Sequence, residues 1–242
     1  MSLNSLNKSM RLNKYIAKSG ECSRRQADEF VQGGSVTVNG VLELNPAYQV
    51  LDNDDVRFDG RRIELSHEFK TILLNKPMGY ITTYSDPFKR KTVIDLINLK
   101  ERLFPIGRLD KDTTGLLLLT NDGNLANTLM HPKNKIPRVY ELVVDKPFQS
   151  WEKRKISKKI YIGQKEWGRA DILEQKKYKG RTTVTMCLHQ GKKREIRRIV
   201  YRMKKNLFSL KRIQFGPIHL DNTPEGAFRE LSKTEIKLLK RL

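Results

Sequence analysis

The sequence predicts an α+β protein, in which a small domain of two helices and short strands precedes a larger domain built on a mainly antiparallel sheet with flanking helices. Three observations lead to this fold class. The chain has 242 residues, which is enough for one or two domains, and 38% of them are hydrophobic, which is enough for a core. Apolar residues recur at helical spacing in a few short segments and alternate with polar residues in many others. Several strand-like segments end in Asn-Gly or Asp-Gly, which is typical of antiparallel hairpins.

Two helices begin the small domain. The apolar spacing within 12–16 predicts a first helix, which ends at Gly20. Ser23 opens a second helix, because Gln26 follows three residues later at the spacing of a capping box. The pair Gly33-Gly34 ends this second helix.

Short strands complete the small domain. Segments 36–38 and 56–58 alternate apolar and polar residues, and each runs into a hairpin turn, at Asn39-Gly40 and Asp59-Gly60 respectively. We therefore expect a flexible leader at residues 1–9 and a small domain at residues 10–66. A polar linker is expected at residues 65–68.

The larger domain is expected to span residues 70–242 and to contain many strands and a few helices. Its strand signals are 71–74, 116–120, 139–144 and 182–188. Its helix signals are 92–99, 124–130, 194–203 and a C-terminal segment that opens with the capping-box pair Ser232 and Glu235.

The charge of the chain restricts its function. The 48 Lys and Arg residues exceed the 27 Asp and Glu residues and give a net charge of +21. This excess argues against an acidic-substrate lectin, a halophilic surface or an ordinary metabolic enzyme. It favours a polyanionic partner, of which RNA and DNA are the commonest. An anionic membrane surface is the alternative, but the chain contains no apolar stretch of membrane-spanning length.

The cysteines and histidines predict neither a disulfide framework nor a metal site. The chain has 2 Cys and 4 His, and they are scattered without metal-ligand spacing. The N-terminus lacks the apolar core of a signal peptide. We expect a cytoplasmic protein without a structural metal, which does not enter a membrane and acts as a monomer.

Basic residues are concentrated on three predicted helices. The two helices of the small domain carry Arg11, Lys14, Lys18, Arg24 and Arg25. The helix over 194–203 repeats Arg on its non-apolar face. Such faces either contact nucleic-acid phosphates or only solubilise the domain, and their density favours phosphate contact.

Motifs at the N-terminal end resemble an S4 domain, a small RNA-binding module. The resemblance rests on Arg11–Ile16, Cys22–Ala27 and Val36–Gly40.

The rest of the chain resembles the bacterial ribosomal pseudouridine synthases of the RsuA and RluB/E/F type, and most of all the RluB branch. The motifs that carry this resemblance, in the order typical of the family, are Asn75–Gly79, Pro105–Gly123, Leu129–Pro132, Arg138–Val143 and Gln190–Arg198. Two residues depart from the usual pattern: Glu195 stands where many members have Gln, and Arg138 stands where Lys is more usual. The resemblance implies that uridine in ribosomal RNA is isomerised to pseudouridine, with the large-subunit RNA favoured over the small-subunit RNA.

This isomerisation needs a nucleophile that can add and leave, and a carboxylate can do so. The resemblance assigns this role to Asp110. Taken alone, Asp110 lies in what reads as a charged surface turn, and Asp112 is the local rival, for which capping of the turn is the simplest role. The reaction requires no cofactor, and the sequence has neither a P-loop nor a dinucleotide-binding fingerprint.

Two further residues complete the catalytic set that the resemblance implies. Arg197 would hold the carboxylate ionised and oriented, although it could instead be one more phosphate-facing Arg. Tyr140 would stack on the flipped-out uracil and could help to remove the C5 proton, although it could instead be a strand Tyr in the core.

RNA contacts are expected from a wider set of cations, of which Lys76 could equally stabilise the turn at Pro77. The expected RNA-binding residues are Arg11, Lys14, Arg24, Arg25, Lys76, Arg108, Lys192, Arg194 and Arg198. The expected partner is ribosomal RNA or a ribosomal assembly intermediate. A non-catalytic RNA-binding assembly factor is the alternative function, but binding alone does not need Asp110, Tyr140 and Arg197 together.

Overall fold

A computed structural model describes residues 9–65 and 68–242. Most of the expected leader, and Ser66 and His67 of the expected linker, lie outside the described residues. The described chain up to Phe69, together with Lys100–Arg102, forms one compact unit, and Lys70–Leu99 with Leu103–Leu242 forms a second. The domain boundaries at 10–66 and 70–242 stay a prediction.

Local signals determine the helices of the first unit, α1 (Leu12–Ser19) and α2 (Arg24–Gln32). Gly20 caps the C-terminus of α1 in a left-handed conformation. The Ser23 side chain accepts a hydrogen bond from the backbone N–H of Gln26, and the Gln26 side chain accepts one from the backbone N–H of Ser23, which completes the expected capping box.

Six short strands accompany these helices: β1 (Met10–Arg11), β2 (Val36–Val38), β3 (Val41–Leu42), β4 (Gln49–Val50), β5 (Val56–Phe58) and β6 (Arg61–Arg62). Strands β3-β2-β5-β6 form an antiparallel sheet, and β1 pairs with β4. Both expected turns have positive φ at their two central residues, Asn39-Gly40 and Asp59-Gly60, as type I′ turns require. Apolar residues of the helices and of this sheet bury one another in a single core.

The second unit is built on one large sheet with the strand order β13-β14-β10-β15-β9-β7-β17, to which β8 and β16 are attached. Among the described strands the pairs are antiparallel, except that β15 and β9 run parallel. A separate hairpin consists of β11 and β12. The strands are β7 (Thr71–Lys76), β8 (Phe104–Pro105), β9 (Thr114–Thr120), β10 (Arg138–Val144), β11 (Ile160–Gly163), β12 (Glu166–Gly168), β13 (Asp171–Tyr178), β14 (Arg181–Leu188), β15 (Leu207–Phe215), β16 (Ile218–His219) and β17 (Phe228–Glu230).

Strand β9 is buried on both faces, which explains its continuous run of leucines. Leu116 and Leu118 pack into one apolar cluster, and Leu117 and Leu119 pack into another. The helices α3 (Gly123–Met130) and α6 (Lys233–Leu239) contribute to the first cluster, whereas α4 (Ser150–Lys158) and α5 (Glu195–Arg202) pack against a third cluster at the β10 and β14 end of the sheet.

One expected helix is much shorter in the structure, and several elements were not anticipated. The segment 92–99 forms only a single 3₁₀ turn, Val93–Leu96, because the chain becomes extended at Ile97. No sequence pattern indicated α4, the β11–β12 hairpin, β13 or the strands β15, β16 and β17. In contrast, the expected strands at 71–74, 116–120, 139–144 and 182–188 and the expected helices at 124–130 and 194–203 are present within a few residues.

Gly115 allows β9 to approach β15, and we expect Gly115→Ala to destabilise the fold by more than about 3 kcal/mol. A Cβ atom here would lie 2.2 Å from the carbonyl oxygen of Arg212, and the φ of +97° is already unfavourable for a side chain. Gly123→Ala is the matched control, because a Cβ atom at that residue would meet nothing within 4 Å and its φ is not positive. Denaturant unfolding of both variants checks this expectation, and an equal loss of free energy in the two would contradict it.

Candidate active site

A cavity of about 1180 Å³ opens in the second unit. It is lined by the loop over 105–113, by the segment 130–140, by 188–197 around the start of α5, and by the last residues of β15. Asp110, Tyr140 and Arg197, which were expected to be catalytic, all line this one cavity. Their catalytic roles stay a prediction.

The loop between β8 and β9 presents Asp110 to the cavity. Leu109 is buried beneath the loop, and its backbone is held by Thr82: the Thr82 hydroxyl donates to the Leu109 carbonyl at 2.8 Å and accepts from the Leu109 N–H at 3.2 Å. The backbone N–H of Thr113 donates to the Asp110 carbonyl at 3.0 Å. The Asp110 carboxylate is thereby left 35% exposed at the cavity wall.

Lys76 supports the same loop from below. It is fully buried, and its ammonium group donates to the backbone carbonyls of Pro77, Lys111 and Thr113 at 3.0, 3.3 and 2.9 Å. Lys76 therefore cannot contact an RNA phosphate in this arrangement, because its donors face carbonyl groups inside the protein. Of the two roles that the sequence left open, stabilisation of the turn fits the structure.

Burial lowers the pKa of Lys76 from 10.5 to about 8, although the charges of Asp112 and Asp110 oppose this shift. Between these two pH values the unfolded chain binds the proton and the folded chain releases it, so the contribution of Lys76 to stability increases as the pH rises. We expect the free energy of unfolding to rise relative to that of Lys76→Met between pH 8 and 10.5. Denaturant titrations of both proteins across this range test the sign, and parallel pH profiles would contradict it.

Two guanidinium groups flank Asp110. Arg194 at the N-cap of α5 places Nη1 3.8 Å from Asp110 Oδ2, and Arg197 places Nε 3.9 Å from the same oxygen. Arg197 is fixed to the loop because its Nη2 donates to the Asp112 carbonyl at 2.7 Å and to the Thr113 hydroxyl at 3.3 Å. Its Nε is buried without a hydrogen-bond partner. Burial, followed by the charge of Arg194, lowers the pKa of Arg197, and Asp110 opposes this effect.

Tyr140 lies on β10, half-buried at the cavity wall. Its direct neighbours across the sheet are Met186 on β14 and Arg212 on β15. Its ring packs against two apolar clusters. Within the described residues its hydroxyl makes no hydrogen bond, so the fold does not require that group.

The other expected RNA-binding residues of the second unit differ in their availability. Arg108 is exposed and lines the cavity. Lys192 also lines it, but its ammonium group donates to the Trp167 carbonyl at 2.5 Å. Arg198 is mostly buried and binds the β11–β12 hairpin, with donors directed to the Ile162 and Gly163 carbonyls and to the Glu166 carboxylate. The expectation that Arg198 contacts RNA is thus at odds with the structure, because its donors are engaged within the protein.

The cations of the first unit remain accessible. Arg11, Arg24 and Arg25 are exposed and Lys14 is half-buried. No ion pair of these four residues occurs in the part of the chain that the structure describes.

Sequence reasoning assigned no role to three residues around the cavity. Thr82 lies in an irregular segment whose sequence gives no signal for its contact with Leu109. Glu195 is 3% exposed and accepts the backbone N–H groups of Arg169 and Lys192, and burial raises its pKa. Arg212 is 2% exposed, although in the sequence it is only a cation next to Lys211.

The described residues show neither a metal cluster nor a membrane-spanning helix. Residues 9–65 and 68–242 contain no group of three or more His, Cys, Asp and Glu side chains that could hold a metal ion. Across the same residues, no helix has the length and apolar character needed to span a bilayer.

Comparison with known proteins gives consistent matches along the chain. The RNA pseudouridylate synthase family matches residues 70–201, and the S4 domain matches residues 10–56. The ribosomal large subunit pseudouridine synthase B of Bacillus subtilis is 37% identical over 96% of this chain and 96% of its own length. The dual-specificity RNA pseudouridine synthase RluF of Escherichia coli K12 is 35% identical over 94% of this chain and 77% of its own length.

A solved structure is also similar to this chain along nearly its whole length. A crystal structure of a pseudouridylate synthase has a TM-score of 0.68 and 26% identity, and the match covers 96% of this chain and 100% of that one. With this fold, and with relatives above 30% identity along almost the whole chain, the protein belongs to the RNA pseudouridylate synthase family and carries an S4 domain before its synthase domain.

Proposed function

We propose that this pseudouridine synthase isomerises a specific uridine in the ribosomal RNA of the large subunit, with Asp110 as the nucleophile. The observation that carries this proposal is the accessible Asp110 carboxylate with two guanidinium groups within 4 Å, in the cavity that Tyr140 also lines. The choice of the large-subunit RNA is supported by the name of the Bacillus subtilis relative, a ribosomal large subunit pseudouridine synthase.

The reaction breaks the N1–C1′ bond of uridine and forms a C5–C1′ bond. A proton leaves C5, and N1 gains one, so no oxidant, reductant or cofactor is consumed. Asp110 adds either to the ribose C1′ or to the uracil C6 and leaves again after the base has turned. Both additions need an ionised carboxylate with a free lone pair, and Oδ2 lies beyond normal hydrogen-bond distance from both guanidinium groups.

Arg197 and Tyr140 have complementary roles in this proposal. Arg197 neutralises and orients Asp110, because its own position is set by two hydrogen bonds to the loop that carries the carboxylate. Tyr140 offers a ring on which the flipped-out uracil stacks, a contact worth about 1–3 kcal/mol per base. Its hydroxyl has no structural partner among the described residues and is available to take part in removal of the C5 proton.

The first unit would dock the RNA outside the reaction site. Arg11, Lys14, Arg24 and Arg25 carry four positive charges on α1, α2 and the residue before α1, and phosphate contacts of this kind bind RNA without reading its sequence. We propose that the domains span 10–66 and 70–242, and that the enzyme acts as a cytoplasmic monomer on ribosomal RNA or on an assembly particle.

Release of tritium from uridine labelled at C5 tests this function. The purified protein is incubated with labelled fragments of large-subunit and small-subunit RNA. Release from one large-subunit fragment supports the proposal, and release from a small-subunit fragment alone would move the substrate to the other RNA. Tight RNA binding without release from any fragment, whether naked or in particles, would instead favour a non-catalytic assembly factor.

A further inference from the structure

Two arginines line the cavity beyond the Asp110 loop and have no established role. Arg138 lies on β10 and Arg212 lies on the neighbouring strand β15. Their guanidinium carbons lie 5.1 and 5.5 Å from the centre of the Phe215 ring, so one buried ring supports both cations.

The charge of Arg212 is not compensated by the protein. Arg212 is 2% exposed, and its Nε donates to the Leu116 carbonyl at 2.7 Å. Its Nη2, however, is buried without any hydrogen-bond partner. Within the described residues no carboxylate forms an ion pair with it. Burying a charge in this way is unfavourable unless a partner of opposite charge is supplied.

Arg138 adds a second uncompensated charge. Its one side-chain hydrogen bond in the described chain is a long contact of 3.3 Å from Nη1 to the Ile136 carbonyl. Burial, followed by the charge of Arg212, lowers the pKa of Arg138. Glu195 is the carboxylate that opposes this shift, but its oxygens accept the backbone N–H groups of Arg169 and Lys192. Two like charges therefore face one cavity wall without a counter-ion from the protein.

The position of this pair suits a group that is attached to the reacting nucleotide. Arg212 is the direct cross-strand neighbour of Tyr140, and Arg138 lies two residues before Tyr140 on the same strand. The cavity of about 1180 Å³ exceeds the roughly 300–1,000 Å³ of most small-molecule pockets, so it has room for more than one base. Guanidinium groups bind phosphate oxygens through charge-assisted, often bidentate, hydrogen bonds.

We propose that Arg138 and Arg212 form a phosphate subsite, which binds an RNA backbone phosphate next to the flipped-out uridine. This proposal rests on the proposed function, because the uridine that it places is the one that Asp110 attacks. The subsite explains why the fold tolerates two unpaired cations: the bound RNA supplies the missing negative charge.

Salt dependence of RNA binding tests this subsite. Each phosphate contact contributes a slope of about −0.7 to −0.9 to log K against log salt. We expect Arg138→Met and Arg212→Met each to weaken binding and to reduce the magnitude of this slope by nearly one contact. Lys176→Met is the matched control, since it removes the same charge from an exposed strand residue that pairs with Glu174. Equal slopes for the wild type, both variants and the control would overturn the proposal.

Replacing one RNA phosphate by a neutral linkage shows which phosphate the subsite binds. Methylphosphonates are introduced singly on either side of the uridine that releases tritium. One of them should weaken binding by the wild type more than binding by Arg138→Met, which keeps only the Arg212 contact. If each linkage weakens both proteins equally, the proposed contact is absent. Arg212→Met loses the hydrogen bond from Arg212 to the Leu116 carbonyl and could fail to fold for that reason. The test with Arg138→Met does not depend on that variant.

Inorganic phosphate distinguishes the source of the anion. Unfolding temperatures are measured with and without inorganic phosphate at constant ionic strength. Phosphate could raise the unfolding temperature of the wild type but not that of Arg138→Met, while the salt dependence of RNA binding is the same for both proteins. This result would assign the arginine pair to a free anion and overturn the RNA subsite.

Failure of the proposed function has a different signature. Tritium would then not be released from any RNA, whereas the salt slopes would still separate the arginine variants from Lys176→Met.

Discussion

Asp110→Asn is expected to lower the rate of pseudouridine formation by at least about 10³-fold while RNA binding and folding survive. The amide has nearly the same shape as the carboxylate, but it is a poor nucleophile and carries no charge. The backbone hydrogen bond from Thr113 to the Asp110 carbonyl does not involve the side chain, so the loop should keep its conformation. Single-turnover tritium release measures the rate, and a filter-binding titration measures the affinity for RNA.

Asp112→Asn is the control for this variant, because it makes the same chemical change two residues away. The Asp112 side chain is exposed, and the residue contacts Arg197 through its backbone carbonyl, which the substitution keeps. We expect substantial activity and a stability loss of at most about 0.5 kcal/mol. An active Asp110→Asn beside an inactive Asp112→Asn would contradict the proposed nucleophile. Equal activity in the two would favour the binding-protein alternative, once contamination by a host enzyme had been excluded.

Tyr140→Phe and Tyr140→Ala are expected to separate the two roles proposed for the tyrosine. The Phe variant keeps the stacking ring and should fold and bind RNA normally, because the fold makes no use of the hydroxyl within the described residues. We expect it to react slowly, since it cannot take part in proton transfer. The Ala variant should lose both stacking and turnover, and about 1–3 kcal/mol of stability, because the ring packs against two apolar clusters.

Binding and single-turnover rates of the two variants decide between these roles. Normal turnover by Tyr140→Phe would mean that only the ring matters. Normal turnover by Tyr140→Ala would place the residue outside the reaction and contradict its assignment.

Elements with a local cause could be predicted from the sequence. The Ser23 capping box and the turns at Asn39-Gly40 and Asp59-Gly60 depend on residues a few positions apart, so their signal is present in the chain itself. Strand β9 was recognisable because burial on both faces requires an unbroken apolar run.

Elements that depend on distant partners could not be predicted in this way. Strand β13 is largely exposed and rich in charge, and it becomes a strand through its pairing with β14 at the edge of the sheet. Helix α4 buries only Glu152 and Ile156, too few residues to give a periodic signal. The 92–99 segment was expected to be a helix, but the chain becomes extended at Ile97 after one turn, and apolar residues of this segment pack into the cluster that holds Leu117 and Leu119.

The residues of the candidate site also divide into those that a sequence motif indicates and those whose role depends on distant partners. Sequence motifs indicated Asp110, Tyr140 and Arg197, and these residues line one cavity. A lysine or arginine in a motif does not reveal its partner, however. Lys76 and Arg198 read as RNA contacts because they are cationic, yet carbonyl groups of the protein engage both of them. The lack of a hydrogen-bond partner for Arg212 Nη2 could not be predicted either, because it depends on which groups surround that atom in the folded protein.

The place of β15 in the sheet has a consequence for biosynthesis. The strand that follows the Asp110 loop, β9, and the strand that carries Tyr140, β10, do not pair with each other, because β15 lies between them. Since β15 comprises Leu207–Phe215, a ribosome must translate the chain through Phe215 before these two strands can be joined. Pairing over such long separations also slows folding. A nascent chain that ends before this strand would hold the proposed nucleophile and stacking residue without the segment that connects them, so we expect modification activity to appear only after β15 has been translated.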